Sequence, residues 1–222
     1  MDPKAHWETV YRTRRPSEVS WYRPHLDLSL ELIERAAPGR DAHVVDVGGG
    51  EATLVDDLLA RGYRNVAVLD VSPTALAVAG ERLGPQASRV SWLLGDVTTF
   101  AFGRHVYDVW HDRAVFHFLT DAGDRAAYVR QVARAVKPGG RVIVGAFGPE
   151  GPPKCSGLDV VRYDADALHD EFGAGFRLVE HRTELHRTPA GSIQQFVYCC
   201  CDVATERSGR AAEISVDGRE PA

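Results

Sequence analysis

The 222 residues predict an α/β fold: a doubly wound parallel sheet that ends in an antiparallel hairpin. Three observations predict it. Short β-branched runs alternate with amphipathic segments from residue 43 to residue 147, the pattern of strand–helix–strand units with right-handed crossovers. The first of these runs, VVDV, empties through Gly48-Gly49-Gly50 into a helix start. The last third then breaks the alternation, with two strands in succession across the turn HRTPAG.

Taken in order, Leu26 to Ala37 reads as an amphipathic helix stopped by Pro38-Gly39. His43 to Val47 is apolar nearly throughout, as a central strand covered on both faces requires. Ala52 to Arg61 is a helix closed by Gly62, and Asn65 to Leu69 is a second strand ending at Asp70. Ser72 is an N-cap with Pro73 at the first helical position, opening a helix through Arg82. Val90 to Leu94 is a third strand leading to Gly95-Asp96. Val106 to Trp110 is a fourth, followed by His111-Asp112-Arg113. Asp124 to Val136 is a helix stopped by KPGGR, and Arg141 to Phe147 is a fifth strand. Asp164 to Phe172 is a helix, and Phe176 to Leu185 and Ser192 to Cys201 form the hairpin. Three segments follow: residues 1–40, an aromatic N-terminal lid and helix; residues 41–203, the core; and residues 204–222, a polar tail expected to be mobile.

Composition narrows the function. An apolar fraction of 44% and a charged fraction of 26% suit a soluble globular protein. The net charge of −5 and the lack of a dense basic stripe call for no nucleic acid partner. No run is apolar and long enough for a membrane span, and the start MDPKAHWETVYRTRR lacks the apolar stretch of a secretory signal. Cys155 stands alone, and Cys199, Cys200 and Cys201 alternate faces on a strand, as do His181 and His186 five residues apart. No metal site is expected, and a reducing, cytoplasmic compartment fits.

The chemistry gathers at the strand ends. Asp46 lies at the end of the first strand, Asp70 closes the second, and Asp96 follows the third, where ligands of open parallel sheets bind. Asp70, twenty-two residues after Gly48, suits a carboxylate that takes both hydroxyls of a ribose. Asp96 can accept an adenine amine while the Val97 amide donates to a ring nitrogen, and Asp46 can hold an ammonium beneath the glycine loop. Thr53 stands where a dinucleotide fingerprint wants its third glycine, and no pyrophosphate or P-loop lysine is called for. Amino acid, ribose and adenine read in sequence describe S-adenosylmethionine. The bland alternative is that each acid is a helix cap or a turn residue.

At this point the sequence resembles the class I S-adenosylmethionine-dependent methyltransferases. The resemblance rests on VVDVGGGEA, VAVLDVSPTAL, LLGDV, YDVWHDR and AVKPGGRVIV, in the expected order over Asp41 to Phe147, about half the chain. It implies a Rossmann-like, seven-stranded sheet with an antiparallel last strand. It also implies S-adenosyl-L-methionine held by Asp46, Gly48, Gly49, Gly50, Asp70, Val71, Asp96, Val97 and Trp21. Ala52 replaces the last glycine of the family's loop. The first half also resembles small-molecule members such as the thiopurine and thiol methyltransferases, whose aromatic N-terminal helix is similar to HWETVYRT and SWY here.

The resemblance places His111, Asp112 and Arg113 facing the transferred methyl as candidate catalytic residues. Methyl transfer is an in-line displacement in which positioning supplies much of the rate, and a base is needed only if the acceptor must lose a proton. His111 or His117 could serve as that base; otherwise Asp112 and Arg113 pair structurally and His117 packs on a helix face. Trp7, Tyr11, Trp21 and Tyr22 are expected to form a lid and an aromatic wall beside the sulfonium, or else to pack on the sheet edge. Tyr22, His117, Cys155 and Arg162 are the candidate substrate contacts, and Tyr163 leads a helix near the same mouth. Cys155 could meet a soft electrophile. The expected activity is methyl transfer to a small-molecule nucleophile. Protein-lysine methylation is the alternative, ahead of a nicotinamide oxidoreductase or a non-catalytic binding protein.

Overall fold

A computed structural model describes residues 3–205 of the chain. The expected tail therefore falls, beyond residue 205, outside the described residues. The elements run α1 (Pro3–Thr13), α2 (Asp27–Ala36), β1 (His43–Val47), α3 (Leu54–Ala60), β2 (Asn65–Asp70), α4 (Pro73–Leu83), β3 (Val90–Leu94) and β4 (Tyr107–Arg113). They continue with α5 (Ala122–Ala135), β5 (Val136–Phe147), the short β6 (Lys154–Cys155) and β7 (Leu158–Asp159), α6 (Ala165–Asp170), β8 (Phe176–Arg187) and β9 (Ile193–Val203). Seven strands form one sheet in the order β3-β2-β1-β4-β5-β9-β8, and β9 alone runs antiparallel to its neighbours. The doubly wound sheet with a terminal antiparallel hairpin is what the alternating pattern predicted.

Strand alternation divides the core in two. Val44, Val66 and Val68 pack against Leu30, Ile33 and Leu58 on one face. Val45, Val47 and Trp110 pack against Tyr128, Val132 and Leu168 on the other. The three consecutive cysteines obey the same rule. Cys200 belongs to the first face, while Cys199 and Cys201 share the second with their Sγ atoms 3.3 Å apart. No helix among the described residues is long and apolar enough to cross a membrane.

Two of the boundaries that differ from expectation bear on the site and its surroundings. The fourth strand does not stop at Trp110: parallel pairing with β1 and β5 carries it through Asp112 and Arg113. His111, Asp112 and Arg113 are therefore strand residues with alternating faces, not a loop that presents all three to one cavity. Likewise α5 ends at Ala135, and KPGGR opens β5 rather than a loop, with an irregular register at Tyr107–Val109. The cap at α4 is as read: Ser72 Oγ accepts from the Ala75 amide at 3.2 Å, with Pro73 following.

Asp112 shows what the strand extension does. Its carboxylate accepts from the amides of Val115 (2.8 Å) and Phe116 (3.1 Å) and from the Tyr128 hydroxyl (2.7 Å), which itself accepts from the Trp110 indole (2.9 Å). Asp112 and Tyr128 have no exposed surface. Burial pushes the Asp112 carboxyl up to about 6, against the pull of Tyr128. This chain of bonds ties β4 to α5 and shapes the turn that follows the strand. Tyr128→Phe leaves the indole N–H and one carboxylate oxygen without that partner, so urea unfolding is expected to show a loss of about 1–3 kcal/mol.

Candidate active site

The strand order reverses between β1 and β4, and the crevice outside their C-terminal ends is where an open α/β sheet takes a ligand. A cavity of about 240 Å³ opens there, and a second of about 40 Å³ lies on the far side of the glycine loop. Gly48, Trp21 and Arg113 border both. The loop is crowded. A Cβ on Gly48 would meet Val115 Cγ2 at 2.0 Å, one on Gly49 would meet Asp46 Oδ2 at 2.6 Å, and one on Gly50 would meet the Tyr11 hydroxyl at 2.6 Å. Gly48 and Gly50 also hold positive φ, +66° and +47°, which favours glycine.

Asp70, Val71, Asp96 and Val97 all line the larger cavity. Asp70 is buried, and its Oδ1 accepts from the Ser72 amide at 2.8 Å. Burial pushes its carboxyl up to about 7, opposed by the amides of Ser72 and Val71. Asp96 is exposed and folds into a turn, with Oδ1 accepting from the Thr98 amide (2.8 Å) and hydroxyl (2.7 Å). Asp46 borders the smaller cavity instead. Two of the three acids thus border one cavity and the third borders the other, with Gly48 common to both.

The N-terminal aromatics border the cavities. Trp7, Tyr11 and Trp21 line the larger cavity, and Tyr22 the smaller. Trp7 packs edge-on against Phe118 (5.0 Å between centroids) and Trp21 (5.7 Å). What holds α1 down is Glu8, which the sequence reading missed. Its carboxylate accepts from the hydroxyls of Ser72 (2.6 Å) and Thr74 at the N-terminus of α4, and these bonds hold it below the usual range. A polar residue on a short surface helix carries no pattern that announces such a contact.

The catalytic expectations need correction. His111 is buried, with Nδ1 2.7 Å from Asp46 Oδ1 and Nε2 2.9 Å from Ser29 Oγ. Both ring nitrogens are engaged, and the ring borders the smaller cavity only. Asp112 is the turn anchor described above. Arg113 does not pair with it: the guanidinium donates to Glu184, the Tyr198 hydroxyl (3.0 Å) and the Trp21 carbonyl (3.3 Å), and lies 4.2 Å over the Phe196 ring. Tyr198 also donates to Glu184 at 3.3 Å, and Arg23 closes an ion pair with the same carboxylate. Ser29, Glu184 and Tyr198, absent from the sequence reading, thus join one buried polar chain running from the glycine loop to β8. They come from α2 and the terminal hairpin, so no motif groups them.

Three substrate candidates also move. His117 is fully buried, its Nδ1 accepts from the Phe147 amide at 3.2 Å, and burial pushes its pKa down to about 3. It is neutral and lines neither cavity. Arg162 is spent on the carbonyls of Pro149 (2.9 Å) and Gly151 (3.2 Å), away from the cavities. Tyr163, buried beside Phe116, is likewise core. Cys155 does line the larger cavity, from the β6–β7 hairpin, but burial pushes its thiol up to about 11, so it stays protonated.

Residues 44–140 match the model of a methyltransferase domain. The chain is 27% identical over 139 residues to the mouse eEF1A lysine and N-terminal methyltransferase, covering 62% of this chain and 19% of that protein. It is 31% identical over 120 residues to the ubiquinone/menaquinone biosynthesis C-methyltransferase of Paracoccus denitrificans, covering 52% and 46% of the two. The chain therefore spans about a fifth of the first relative and under half of the second. In three dimensions it is similar to the N-methyltransferase NodS of Bradyrhizobium japonicum, solved with S-adenosylhomocysteine. The TM-score is 0.70 at 14% identity, over 91% of this chain and 99% of that one. Over residues 44–140 the chain is similar to a methyltransferase domain, and it has the Rossmann-like fold of the class I S-adenosylmethionine-dependent methyltransferases.

Proposed function

We propose that the protein binds S-adenosylmethionine in the larger cavity and transfers its methyl group to a small molecule with an apolar body. The observation that carries the first half is the buried Asp70 carboxylate on the cavity wall beside a glycine loop too crowded for any Cβ. Bare backbone there admits a ligand, and a carboxylate matches the paired hydroxyls of a ribose. The cofactor supplies an electrophilic methyl on a sulfonium. Asp96 and Val97 suit the adenine edge, and Trp7 and Trp21 offer ring faces to a cation while excluding water.

The remaining wall supports the acceptor class. Trp7, Phe118, Leu119, Cys155 and Leu158 are apolar or uncharged. His111, His117 and Asp112 are all engaged elsewhere, so the acceptor brings its own lone pair, as an unprotonated amine or an ionised thiol does. Catalysis then rests on position and on a dry, aromatic cavity. Residues 3–40 serve as the cover of that cavity. Protein-lysine methylation is the second reading, favoured by the relatives that methylate lysines of eEF1A.

Three outcomes are expected. Titration calorimetry with S-adenosylhomocysteine shows binding, NAD shows none, and Asp70→Ala weakens the former by about 2–4 kcal/mol, since a charged acceptor of two hydrogen bonds is lost. Unchanged affinity in that variant refutes the ribose assignment. The pH dependence follows from the same group. The empty site holds a proton on Asp70 up to about 7, and a ligand that donates to both oxygens favours the ionised form. Affinity for 5′-methylthioadenosine therefore rises from pH 6 to pH 8, and Asp70→Asn flattens the rise. Finally, radiolabelled methyl should appear in small amines or thiols; incorporation into protein alone would reverse the order of the two acceptor readings.

A further inference from the structure

The stretch between α1 and α2 carries Trp21 but no long regular element, so its backbone groups need partners from elsewhere. Side chains supply them. The Ser20 carbonyl accepts from His186 Nε2 at 2.7 Å, and the Trp21 carbonyl accepts from Arg113 at 3.3 Å. Thr53 Oγ1 donates to the carbonyls of Arg23 (3.3 Å) and Pro24 (2.9 Å). Arg23 closes its ion pair with Glu184. The segment is thus tied to β8 on one side and to the start of α3 on the other, and Trp21 borders both cavities between them.

His186 has no exposed surface and lies opposite Gln194 on β9. A carbonyl only accepts, so Nε2 carries the hydrogen and Nδ1 keeps a lone pair. Nδ1 is buried without a partner, and so is Oε1 of Gln194, and two acceptors cannot answer each other. Burial, with the Arg113 charge in addition, holds the ring below its usual pKa, so the imidazole stays neutral. For stability alone a leucine would serve at this place, since it fills the space with no orphaned nitrogen. What the histidine adds is one N–H aimed at Ser20. That carbonyl belongs to the planar peptide that leads into Trp21, so a bond to it sets the direction in which the indole leaves the chain. The Ser20 side chain also bonds the Cys155 thiol, on the wall of the larger cavity.

We propose that His186 is a positioning residue for Trp21: its bond to the Ser20 carbonyl, beside that of Arg113 to the Trp21 carbonyl, fixes the indole at the boundary of the two cavities. The edge strand of the sheet thereby sets the aromatic wall of a site formed at the sheet's centre. The proposal rests on the reading of the larger cavity as the S-adenosylmethionine site, with Trp21 among its contacts.

The test is a double-mutant cycle read by titration calorimetry with S-adenosylhomocysteine, on the wild type, Trp21→Ala, His186→Leu and the double variant. Trp21→Ala is expected to weaken binding about ten-fold and His186→Leu about five-fold, while His186→Leu made in the Trp21→Ala background costs less than about two-fold. His186→Gln, whose amide reaches the place of Nε2, is expected to keep affinity within about two-fold of the wild type, and His186→Asn, whose amide falls at the place of Nδ1, to lose it as the leucine variant does. The same loss from His186→Leu in both backgrounds would make His186 merely structural and overturn the proposal. No loss from His186→Leu, or none from Trp21→Ala, would overturn it as well. If His186→Leu does not fold, the glutamine and asparagine variants decide: equal affinity in the two refutes the role of the Nε2–H. Failure of the wild type to bind S-adenosylhomocysteine would refute the cofactor reading itself, and this role with it.

Discussion

The buried bond between Asp46 and His111 is the interaction on which the site depends. The two residues are direct partners across β1 and β4, at the point where the strand order reverses, and the crevice opens just beyond them. A carboxylate in that position would be costly alone. The imidazole answers it, Ser29 answers the imidazole, and Tyr198, Glu184, Arg113 and Arg23 continue the chain to the sheet edge. Losing one member of such a buried set leaves its partner unsatisfied, at a cost of about 3–5 kcal/mol for a charged pair. The terminal hairpin is thereby more than a closing strand pair, because Glu184 and Tyr198 brace the floor of the site.

Around that floor the protein accepts several unfavourable burials. The carboxyls of Asp70 and Glu51 are both pushed up to about 7, and the glycine loop carries two positive φ angles. Both acids border cavities, where the local rules of packing give way. Asp112 is a buried acid of another kind, since backbone amides and Tyr128 satisfy it completely. Asp112 borders neither cavity, whereas Asp70 borders the larger and Glu51 the smaller, a distinction that adjacency in sequence does not make.

The N-terminal aromatics form one cluster at the cavity wall. The rings of Trp7, Tyr11 and Trp21 contact one another, Trp7 also meets Phe118, and Glu8 fastens α1 to α4. Tyr11 lies over Gly50, near enough to Asp70 for its charge to raise the phenol's pKa, which burial already raises. The contacts that hold α1 are polar at Glu8 and aromatic elsewhere.

The chain by itself determined the sheet, the loop and the acids. Val44–Val45, the Ser72–Pro73 cap and the run Gly48-Gly49-Gly50 act through local periodicity, capping and backbone freedom, and those survive in any context. Asp70 and Asp96 were legible because they stand at fixed offsets from strands that the same periodicity locates. His111, Asp112 and Arg113 were misjudged as a shared catalytic face because strand length is set by the neighbours: pairing with β1 and β5 extended β4 through all three and turned them to different sides. His117 and Arg162 lie in the right stretch of chain but away from the cavity, and nothing local distinguishes a buried neutral imidazole from a free one. Only the tertiary structure decided that Glu8 fastens α1 to α4, that Glu51 Oε2 is buried without a hydrogen-bond partner, and that Ser29, Glu184 and Tyr198 join Asp46. Those contacts link residues as many as 169 positions apart, and the free energy of a buried charge depends on which groups the fold brings beside it.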